Sequence, residues 1–264
     1  MRVTNLYLYP IKSGPAVAVE HAATQERGFE NDRRFMVTSP AGKFMTQRSH
    51  PALGRCRVEL EGDTLRVHAP EVGAFACALE PRGGEALGVR VWSADVAARL
   101  VSNDADAFFS TLLGEPARLV HMPEDERRPV GGFEEVAVSF ADGFPYLVTN
   151  TASLVDLNER IEGPPLPMLA FRPNIVVQAD TPWDEDHWNA LSIGGVGVRC
   201  VSNCERCSVT TLDPMRPDRP RPDGEPLRTL AKFRRNADGK VDFGRNALAD
   251  VGQTIRVGDP VSVA

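Results

Sequence analysis

The chain has 264 residues, of which 42% are hydrophobic and 25% charged, and its formal net charge is −6 at pH 7. This composition is typical of a globular protein with a sizeable core, and the length accommodates two domains or one large one. The acidic balance argues against a general binder of nucleic-acid phosphates, although a local basic pocket remains compatible with it.

The N-terminal residues, the lengths of the apolar runs and the cysteines indicate the cellular compartment. Residues 1–13 mix charges and prolines into short apolar runs, unlike a secretory signal. No apolar run approaches the roughly 18 residues of a membrane helix. The five cysteines are an odd number, and three of them fall within eight residues, which fits reduced thiols better than a disulfide framework. We therefore expect a cytoplasmic protein with neither a membrane nor a nucleic-acid partner.

The first third of the chain is patterned as short strands. Residues 2–9 form a β-rich run that Pro10 closes, and turn signals separate the segments that follow. These segments are residues 17–20, 34–38, 43–46, 55–60 and 64–68. This spacing predicts a barrel or a sandwich and not alternating βα units.

Two polar turns interrupt this pattern. Lys12 and Ser13 lie between two prolines, in a turn that could offer a cation and backbone N–H groups to an anion. The turn is too short for a Walker loop, and an exposed turn is the default interpretation. Asp32 and Arg33 precede a predicted strand, where such residues are usually solvated.

One helix is strongly indicated near residue 105. Its apolar residues recur at i, i+3, i+4, i+7 and i+8, and they are Ala105, Phe108, Phe109, Leu112 and Leu113. Residues 102–104 offer N-cap side chains, and Gly114 stands at the C-terminal position. Residues 123–135 then turn polar, so we predict a loop there between an N-terminal domain (1–122) and a C-terminal domain (123–264).

The second half mixes helices and strands. A second helix starts at Asn150 or Thr151 and ends by Gly163, and a strand follows at 171–177 with Arg172 and Asn174 at its mouth. His187 stands among carboxylates, which predicts a surface ion cluster more than a catalytic pair. We further predict an exposed loop at 213–225, a short helix at 227–235, a turn at 243–246 and closing β-structure at 252–263.

Three cysteines, Cys200, Cys204 and Cys207, form the most distinctive cluster, and the last two make a C-x-x-C pair around Arg206. A thiolate is both a nucleophile and a soft metal ligand, and a neighbouring cation lowers its pKa. The β-branched residues 209–211 predict a strand that leaves this turn. Alternatives are buried apolar cysteines, a three-thiolate zinc site and a redox pair. A hydrolase lacks its G-x-S-x-G motif, and a Rossmann fold lacks its glycine fingerprint.

An ordered set of motifs spans nearly the whole chain. The set comprises residues 9–13, Asp32-Arg33, Asp142 ahead of Pro145, residues 171–177, Cys204-Glu205-Arg206-Cys207, and residues 210–214, 225–230, 243–246 and 257–261. Together they resemble the MOSC (molybdenum cofactor sulfurase C-terminal) superfamily, and closely its amidoxime-reducing branch. The resemblance implies a mainly β fold with some α: a MOSC β-barrel fold plus an N-terminal β-barrel-like domain.

The resemblance also implies a bound molybdenum cofactor (molybdenum–molybdopterin) with Cys207 as catalytic residue and protein ligand to the metal. A soft thiolate suits that metal. The residues that the resemblance implies for binding the cofactor are Lys12, Ser13, Arg33, Asp142, Arg172, Asn174, Arg206 and Asn246. Cys204 does not inherit the ligand role. Where some relatives carry hydroxyl residues this chain has Gly143 and Phe144, and Glu205 adds a carboxylate beside the metal ligand.

The implied activity is reduction of small N-hydroxylated compounds such as amidoximes, hydroxylamines and N-hydroxylated bases. The sequence carries no flavin or iron–sulfur signature, so the electrons are expected from a separate iron–sulfur or flavin protein. Two other functions stay open: a sulfur-handling MOSC protein that uses a cysteine persulfide, and a cofactor carrier without catalysis.

Overall fold

The structure, a computed structural model, describes residues 1–214, 216–221 and 223–264. The strands as far as residue 121 are β1 (Arg2–Leu8), β2 (Val17–Val19), β3 (His21–Gln25), β4 (Gly28–Phe29), β5 (Phe35–Thr38), β6 (Arg57–Glu61), β7 (Thr64–Ala69), β8 (Gly73–Ala78), β9 (Ala86–Val91), β10 (Ala94–Leu100) and β11 (Arg118–His121). The later strands are β12 (Arg128–Val130), β13 (Phe133–Val138), β14 (Tyr146–Asn150), β15 (Ile175–Gln178), β16 (Ala190–Ile193), β17 (Val196–Glu205), β18 (Leu212–Asp213), β19 (Arg216–Pro220), β20 (Asp242–Ala249), β21 (Thr254–Arg256) and β22 (Val261–Val263). The helices are α1 (Asn103–Leu113), α2 (Thr151–Arg160) and α3 (Leu227–Phe233).

The largest sheet contains eight strands in the order β2-β1-β15-β14-β20-β17-β16-β22. Its pairs are antiparallel except β14 with β15. Strands β5, β11, β10 and β9 form a second sheet, and β6, β7 and β8 form a third. The predicted mainly β fold with some α is confirmed.

The two halves of the chain share the largest sheet. Strand β1 pairs with β15, and β21 pairs with β3, so the N-terminal segment is built into the C-terminal half. The hydrophobic core against this sheet includes Leu6, Val148 and Trp188. The division at residues 122 and 123 stays a prediction.

Helix α1 follows its sequence pattern. The Ser102 side chain accepts a hydrogen bond from the Ala105 N–H at 3.2 Å, and Gly114 ends the helix with φ 72°, a left-handed conformation that glycine adopts without steric cost. Phe108 and Phe109 are buried against Phe75. The prediction that these aromatics are core residues is confirmed. Among the described residues, no helix has both the length and the apolar character needed to cross a membrane.

Two local predictions around the cysteines are wrong. Residues 243–246 lie inside β20 and do not form a turn. Gly244 has φ 78°, and a Cβ there would lie 2.8 Å from the Val148 carbonyl oxygen. This glycine therefore marks a close approach to β14 and not a chain reversal. Residues Ser208–Thr211 form a 3₁₀ turn instead of a strand, and the strand at the cysteines, β17, enters the turn and does not leave it.

Three predicted segments also differ from the structure. The polar stretch at 123–135 is not only a loop, because β12 and the start of β13 pair within it. Residues 43–46 make only isolated bridges. The predicted exposed loop at 213–225 contains the β18–β19 hairpin and ends on Glu225, which is fully buried; Met215 and Pro222 lie outside the described residues.

Candidate cofactor site

The cysteine turn presents one thiol and buries another. Cys207 is exposed and starts the 3₁₀ turn Ser208–Thr211, while Cys200 is 6% exposed within the core of the largest sheet. The N–H and hydroxyl groups of Thr210 both donate to the Cys207 carbonyl, at 3.1 and 2.9 Å. In the part of the chain that the structure describes, no three His, Cys, Asp or Glu side chains are grouped as metal ligands. The arrangement therefore gives no support to a three-thiolate zinc site.

The arginine inside the C-x-x-C pair holds the other thiol. Arg206 donates through Nη1 to the Cys204 sulfur at 2.7 Å and through Nη2 to the Phe171 carbonyl at 2.6 Å. Burial raises the pKa of Cys204, and Arg206 opposes that shift. The Nε of Arg206 is buried and has no hydrogen-bond partner among the described residues. Arg206 thus keeps one donor that the described protein groups leave unused.

The turn between β1 and β2 supplies a buried lysine. Lys12 is 4% exposed, and its ammonium group donates to the Phe140 carbonyl at 2.8 Å and pairs with Asp142. Burial lowers the pKa of Lys12, and Asp142 counteracts this. Asp142 is 65% exposed at the rim and also accepts the indole N–H of Trp92 at 3.1 Å. Because an ammonium group has three donors, Lys12 retains one for a ligand.

Arg33 is fixed by a buried carboxylate. Asp32 is 2% exposed, accepts the Tyr9 N–H at 2.7 Å through one oxygen, and pairs with Arg33 through the other. The Asn174 side chain donates to the same carboxylate and accepts from Arg33, both at 3.2 Å. Burial is the largest single effect and lowers the pKa of Arg33, but the surrounding groups, chiefly Asp32, together raise it, and the net shift is upward. Arg33 is therefore charged and held in one orientation.

Arg172 comes from the C-terminal half, and both it and Arg33 lie over the aromatic ring of Tyr9. Its guanidinium lies 4.2 Å from the Tyr9 ring centroid, that of Arg33 lies 4.5 Å from it, and Arg172 also donates to the Gly14 carbonyl at 2.7 Å. Burial lowers the pKa of Arg172 to about 10, which still leaves it charged at neutral pH.

Three residues of the site have an unusual backbone. Ser13, Arg33 and Arg172 have φ values of 60°, 53° and 56°. Residues other than glycine seldom adopt this left-handed conformation, and such positions concentrate at functional sites. The backbone cost at these three positions is therefore consistent with a site that orients donors for a ligand.

Two asparagines belong to the site, and they differ in how many hydrogen bonds to the protein their side-chain amides make. Asn246, on β20, donates to the Ser202 hydroxyl at 3.1 Å and lines the cavity. Asn174 is 1% exposed, and besides its bonds to Arg33 and Asp32 it donates to the Tyr7 carbonyl at 3.2 Å. Because both ends of its amide are occupied, we interpret Asn174 as a residue that positions Arg33.

The residues predicted to bind the cofactor and the metal line one cavity. Its lining includes every residue that the resemblance implied for the cofactor and the metal: Lys12, Ser13, Arg33, Asp142, Arg172, Asn174, Arg206, Cys207 and Asn246. Glu205 also lines it, is exposed, and accepts an N–H from Asn236 at 3.2 Å. Four cations thus face two carboxylates, a surplus that suits an anionic ligand. The roles of the individual residues remain predictions.

The sequence assigned no role to the residues behind this lining. Tyr9 and Asp32 organise the two arginines, and Trp92, at the tip of the β9–β10 hairpin, contacts Asp142. The signal for Asp32 was its place beside Arg33. Tyr9 belonged to the motif of residues 9–13 without a role of its own, and Trp92 had no local signal, because the partners of both are distant in sequence. His187 is exposed, but the predicted surface ion cluster is wrong, because its neighbour Glu185 is fully buried and accepts hydrogen bonds from Asn150 and Ser153.

The fold and the site define a β-rich protein with a cation-lined cavity and an accessible thiol. Residues 1–116 match the MOSC N-terminal beta barrel domain, and residues 135–262 match the MOSC domain. The chain belongs to the MOSC superfamily, in the branch of the mitochondrial amidoxime-reducing components.

Similar proteins cover nearly the whole chain. Mitochondrial amidoxime-reducing component 1 of Mus musculus is 33% identical over 98% of this chain and 81% of its own length, and that of Homo sapiens is 31% identical over 98% and 82%. A solution structure from Bordetella bronchiseptica, at 22% identity and a TM-score of 0.38, covers 45% of this chain and 89% of its own.

Proposed function

We propose that this protein is a molybdenum-cofactor-dependent reductase of small N-hydroxylated compounds. The observation that carries the proposal is the single cavity in which an exposed thiol, Cys207, faces four basic side chains. Support also comes from relatives that are named amidoxime-reducing components and that align over 98% of the chain.

The residues present fit an anionic pterin cofactor. Arg206 keeps a buried Nε without a partner among the described residues, and Lys12 keeps one N–H. Arg33 and Arg172 are held rigidly against Tyr9, so they do not lose much conformational freedom on binding. We propose that these four residues bind the cofactor's phosphate and pterin and that Cys207 is the protein ligand to the metal. When bound, the molybdenum cofactor supplies the two-electron chemistry.

The overall reaction is cleavage of an N–O bond. An N-hydroxylated substrate takes up two electrons and two protons, and the products are the corresponding amine or amidine and one water molecule. The electrons come from a separate iron–sulfur or flavin protein, which we propose as the partner, and we propose a cytoplasmic location. The basic residues anchor the anion, and Cys207 and Glu205, both exposed, lie where a substrate can reach the metal ligand.

Turnover distinguishes the proposal from the alternatives. Cofactor-loaded protein is mixed with reduced viologen and benzamidoxime, and benzamidine is measured. We expect steady reduction by the wild type and by Cys77→Ala, a control at a partly exposed thiol on β8, and loss of reduction in Cys207→Ala. Cofactor retention without turnover would instead indicate a carrier, and persulfide on Cys207 without a bound cofactor would indicate a sulfur-handling protein.

A further inference from the structure

The segment around helix α3 is strongly basic. Residues 226–241 contain five basic residues and one acid, although the whole chain has a formal net charge of −6. One of the five, Arg234, is occupied by a pair with Asp186. The other four are exposed on α3 and on the turn after it, and they are Arg228, Lys232, Arg235 and Lys240. We call these four residues, together with Phe233 on the same helix, the basic face.

Hydrogen bonds join this segment to the cysteine turn. The Arg206 N–H donates to the Val241 carbonyl at 2.8 Å. The Asn236 side chain donates at 3.2 Å to Glu205, which lines the cofactor cavity. Helix α3 also packs against the 3₁₀ turn Ser208–Thr211. The basic face therefore belongs to the same local unit of the fold as the exposed thiol.

A series of packed aromatic rings leads from the basic face to the cavity. Phe233 is 37% exposed, and its ring centroid lies 5.3 Å from that of Trp183. The Trp183 ring lies 5.9 Å from that of Phe243, which in turn stacks on Phe171 at 3.7 Å. Phe171 lines the cofactor cavity. A protein that docks over Phe233 is therefore connected with the cavity by packed side chains and not through solvent.

We propose that the basic face is the docking surface for a small acidic iron–sulfur protein that carries one electron. The proposal rests on the reductase function proposed above and specifies where its electron donor binds. The Phe233 ring, with the Arg160 guanidinium 4.4 Å from its centroid, supplies an aromatic centre of the kind found in interfaces, and the four exposed cations supply a charged rim. On an otherwise acidic protein, this local charge attracts an acidic carrier and orients it.

The electron count explains why a charged rim suits this partner. Two reduced carriers dock in turn, and each is oxidised by one electron. The two electrons, with two protons, convert the N–OH group of one substrate molecule into N–H and release one water molecule. Each carrier must therefore leave before the next can bind. Complementary charge raises the association rate more than the affinity, so it favours such a short-lived complex.

Two electron sources separate docking from catalysis. Reduced ferredoxin, a small acidic iron–sulfur protein, needs a docking surface, whereas reduced viologen is a small molecule and does not. With cofactor-loaded protein and benzamidoxime, we expect Lys232→Glu/Arg235→Glu to raise KM for ferredoxin about 10-fold. Viologen-driven reduction should stay within about twofold of the wild type. The control Arg57→Glu/Arg66→Glu reverses two exposed charges on β6 and β7 and should leave both activities within about twofold.

Binding of oxidised ferredoxin to the same proteins is measured by calorimetry at low and high salt and does not depend on turnover. We expect the wild type to bind ferredoxin at low salt and to lose affinity at high salt. Both Lys232→Glu/Arg235→Glu and Phe233→Ala should weaken the binding at low salt about 10-fold.

The two measurements distinguish failure of the docking surface from failure of the reductase function. Ferredoxin binding with these properties, without any viologen-driven reduction, would refute the reductase function alone. Absence of ferredoxin binding by the wild type, or equal losses in the two double variants, would overturn the docking surface. An unchanged affinity in Phe233→Ala would also overturn it, because the face would then be only a general attractor of anions.

Discussion

Arg33 and Arg172 come from opposite halves of the chain, yet both guanidinium groups lie over the ring of Tyr9, 4.5 and 4.2 Å from its centroid. Arg33 also reaches the Arg172 carbonyl at 3.5 Å. Two like charges this close repel each other, so the ring and the buried Asp32 carboxylate must stabilise the pair. The candidate cofactor site is therefore assembled by tertiary packing between the two halves of the chain.

Removing the ring should loosen both arginines. Tyr9→Leu deletes two cation–π contacts and leaves a space in a buried position, and we expect it to lower the free energy of unfolding by about 2–4 kcal/mol and to reduce the bound molybdenum. Tyr9→Phe keeps the ring and loses only the hydroxyl bond to Pro173, which should cost about 1 kcal/mol. Denaturant titration of both variants is the measurement, and equal losses would show that the ring does not organise the site.

The Asp32 carboxylate should contribute far more than a surface acid. Asp32→Asn keeps the shape but leaves Arg33 without its counter-charge, and breaking a buried pair in this way costs about 3–5 kcal/mol. Glu115→Gln, which breaks an exposed pair with His50, serves as the control and should cost less than about 1 kcal/mol. The two unfolding free energies are compared at pH 7, and similar values for the two variants would contradict this role of Asp32.

A buried histidine away from the site should make stability depend on pH. His121 is 2% exposed and lies near Arg34, Arg27, Glu124 and Glu80. Burial, followed by the charges of the two arginines, lowers its pKa to about 3. An unfolded histidine titrates near about 6.5. Between these two values the unfolded state binds more protons, so this group makes the protein less stable as pH falls, by at most about 1.4 kcal/mol per pH unit.

Replacing that histidine should flatten the dependence. His121→Phe preserves a ring against Phe35, 4.9 Å away, and removes the proton-binding group. We expect its unfolding free energy to fall less steeply than that of the wild type between pH 6 and about 4. His68→Gln, at an exposed histidine, should leave the slope unchanged. Parallel pH profiles for the wild type and His121→Phe would show that His121 is not neutral in the native state.

The glycine that the sequence suggested as a turn should be sensitive to substitution for a different reason. Gly244 and Gly252 have nearly the same φ, 78° and 77°, but a Cβ meets the Val148 oxygen at 2.8 Å only at Gly244, and nothing within 4 Å at Gly252. Gly252→Ala should therefore cost only the backbone term of about 1 kcal/mol. Gly244→Ala should cost more, about 2–3 kcal/mol, because the two strands must also separate. Equal thermal shifts of the two variants would contradict this.

How far the sequence specified the site depended on how local each signal was. Cys207 and Arg206 were recognisable from four consecutive residues, and Lys12 and Arg33 gained meaning only as members of an ordered set. Tyr9 stood in the recognised motif of residues 9–13, but its role was not predictable because its ring acts on arginines 24 and 163 positions away (33 − 9 and 172 − 9). Side-chain stacking at such separations leaves no periodic pattern.

The predictions of secondary structure were likewise correct where the signal was local and strong, and failed in a short segment. Helix α1 was predicted because both its apolar spacing and its caps lie within the helix and its ends. The β-branched residues 209–211 were wrongly predicted as a strand, because the bonds from Thr210 to the Cys207 carbonyl fix a 3₁₀ turn there. Local hydrogen bonds from a threonine to the backbone three residues earlier override the β propensity of such a short segment.

Molybdenum content tests the central claim most directly. Wild type, Cys207→Ala and the control Cys77→Ala are purified from a host that makes the cofactor, and molybdenum and zinc are measured by mass spectrometry. The account predicts close to one molybdenum per chain in the wild type and in Cys77→Ala, a large loss in Cys207→Ala, and little zinc in any of them. Little molybdenum in the wild type, or the same amount in Cys207→Ala, would contradict it.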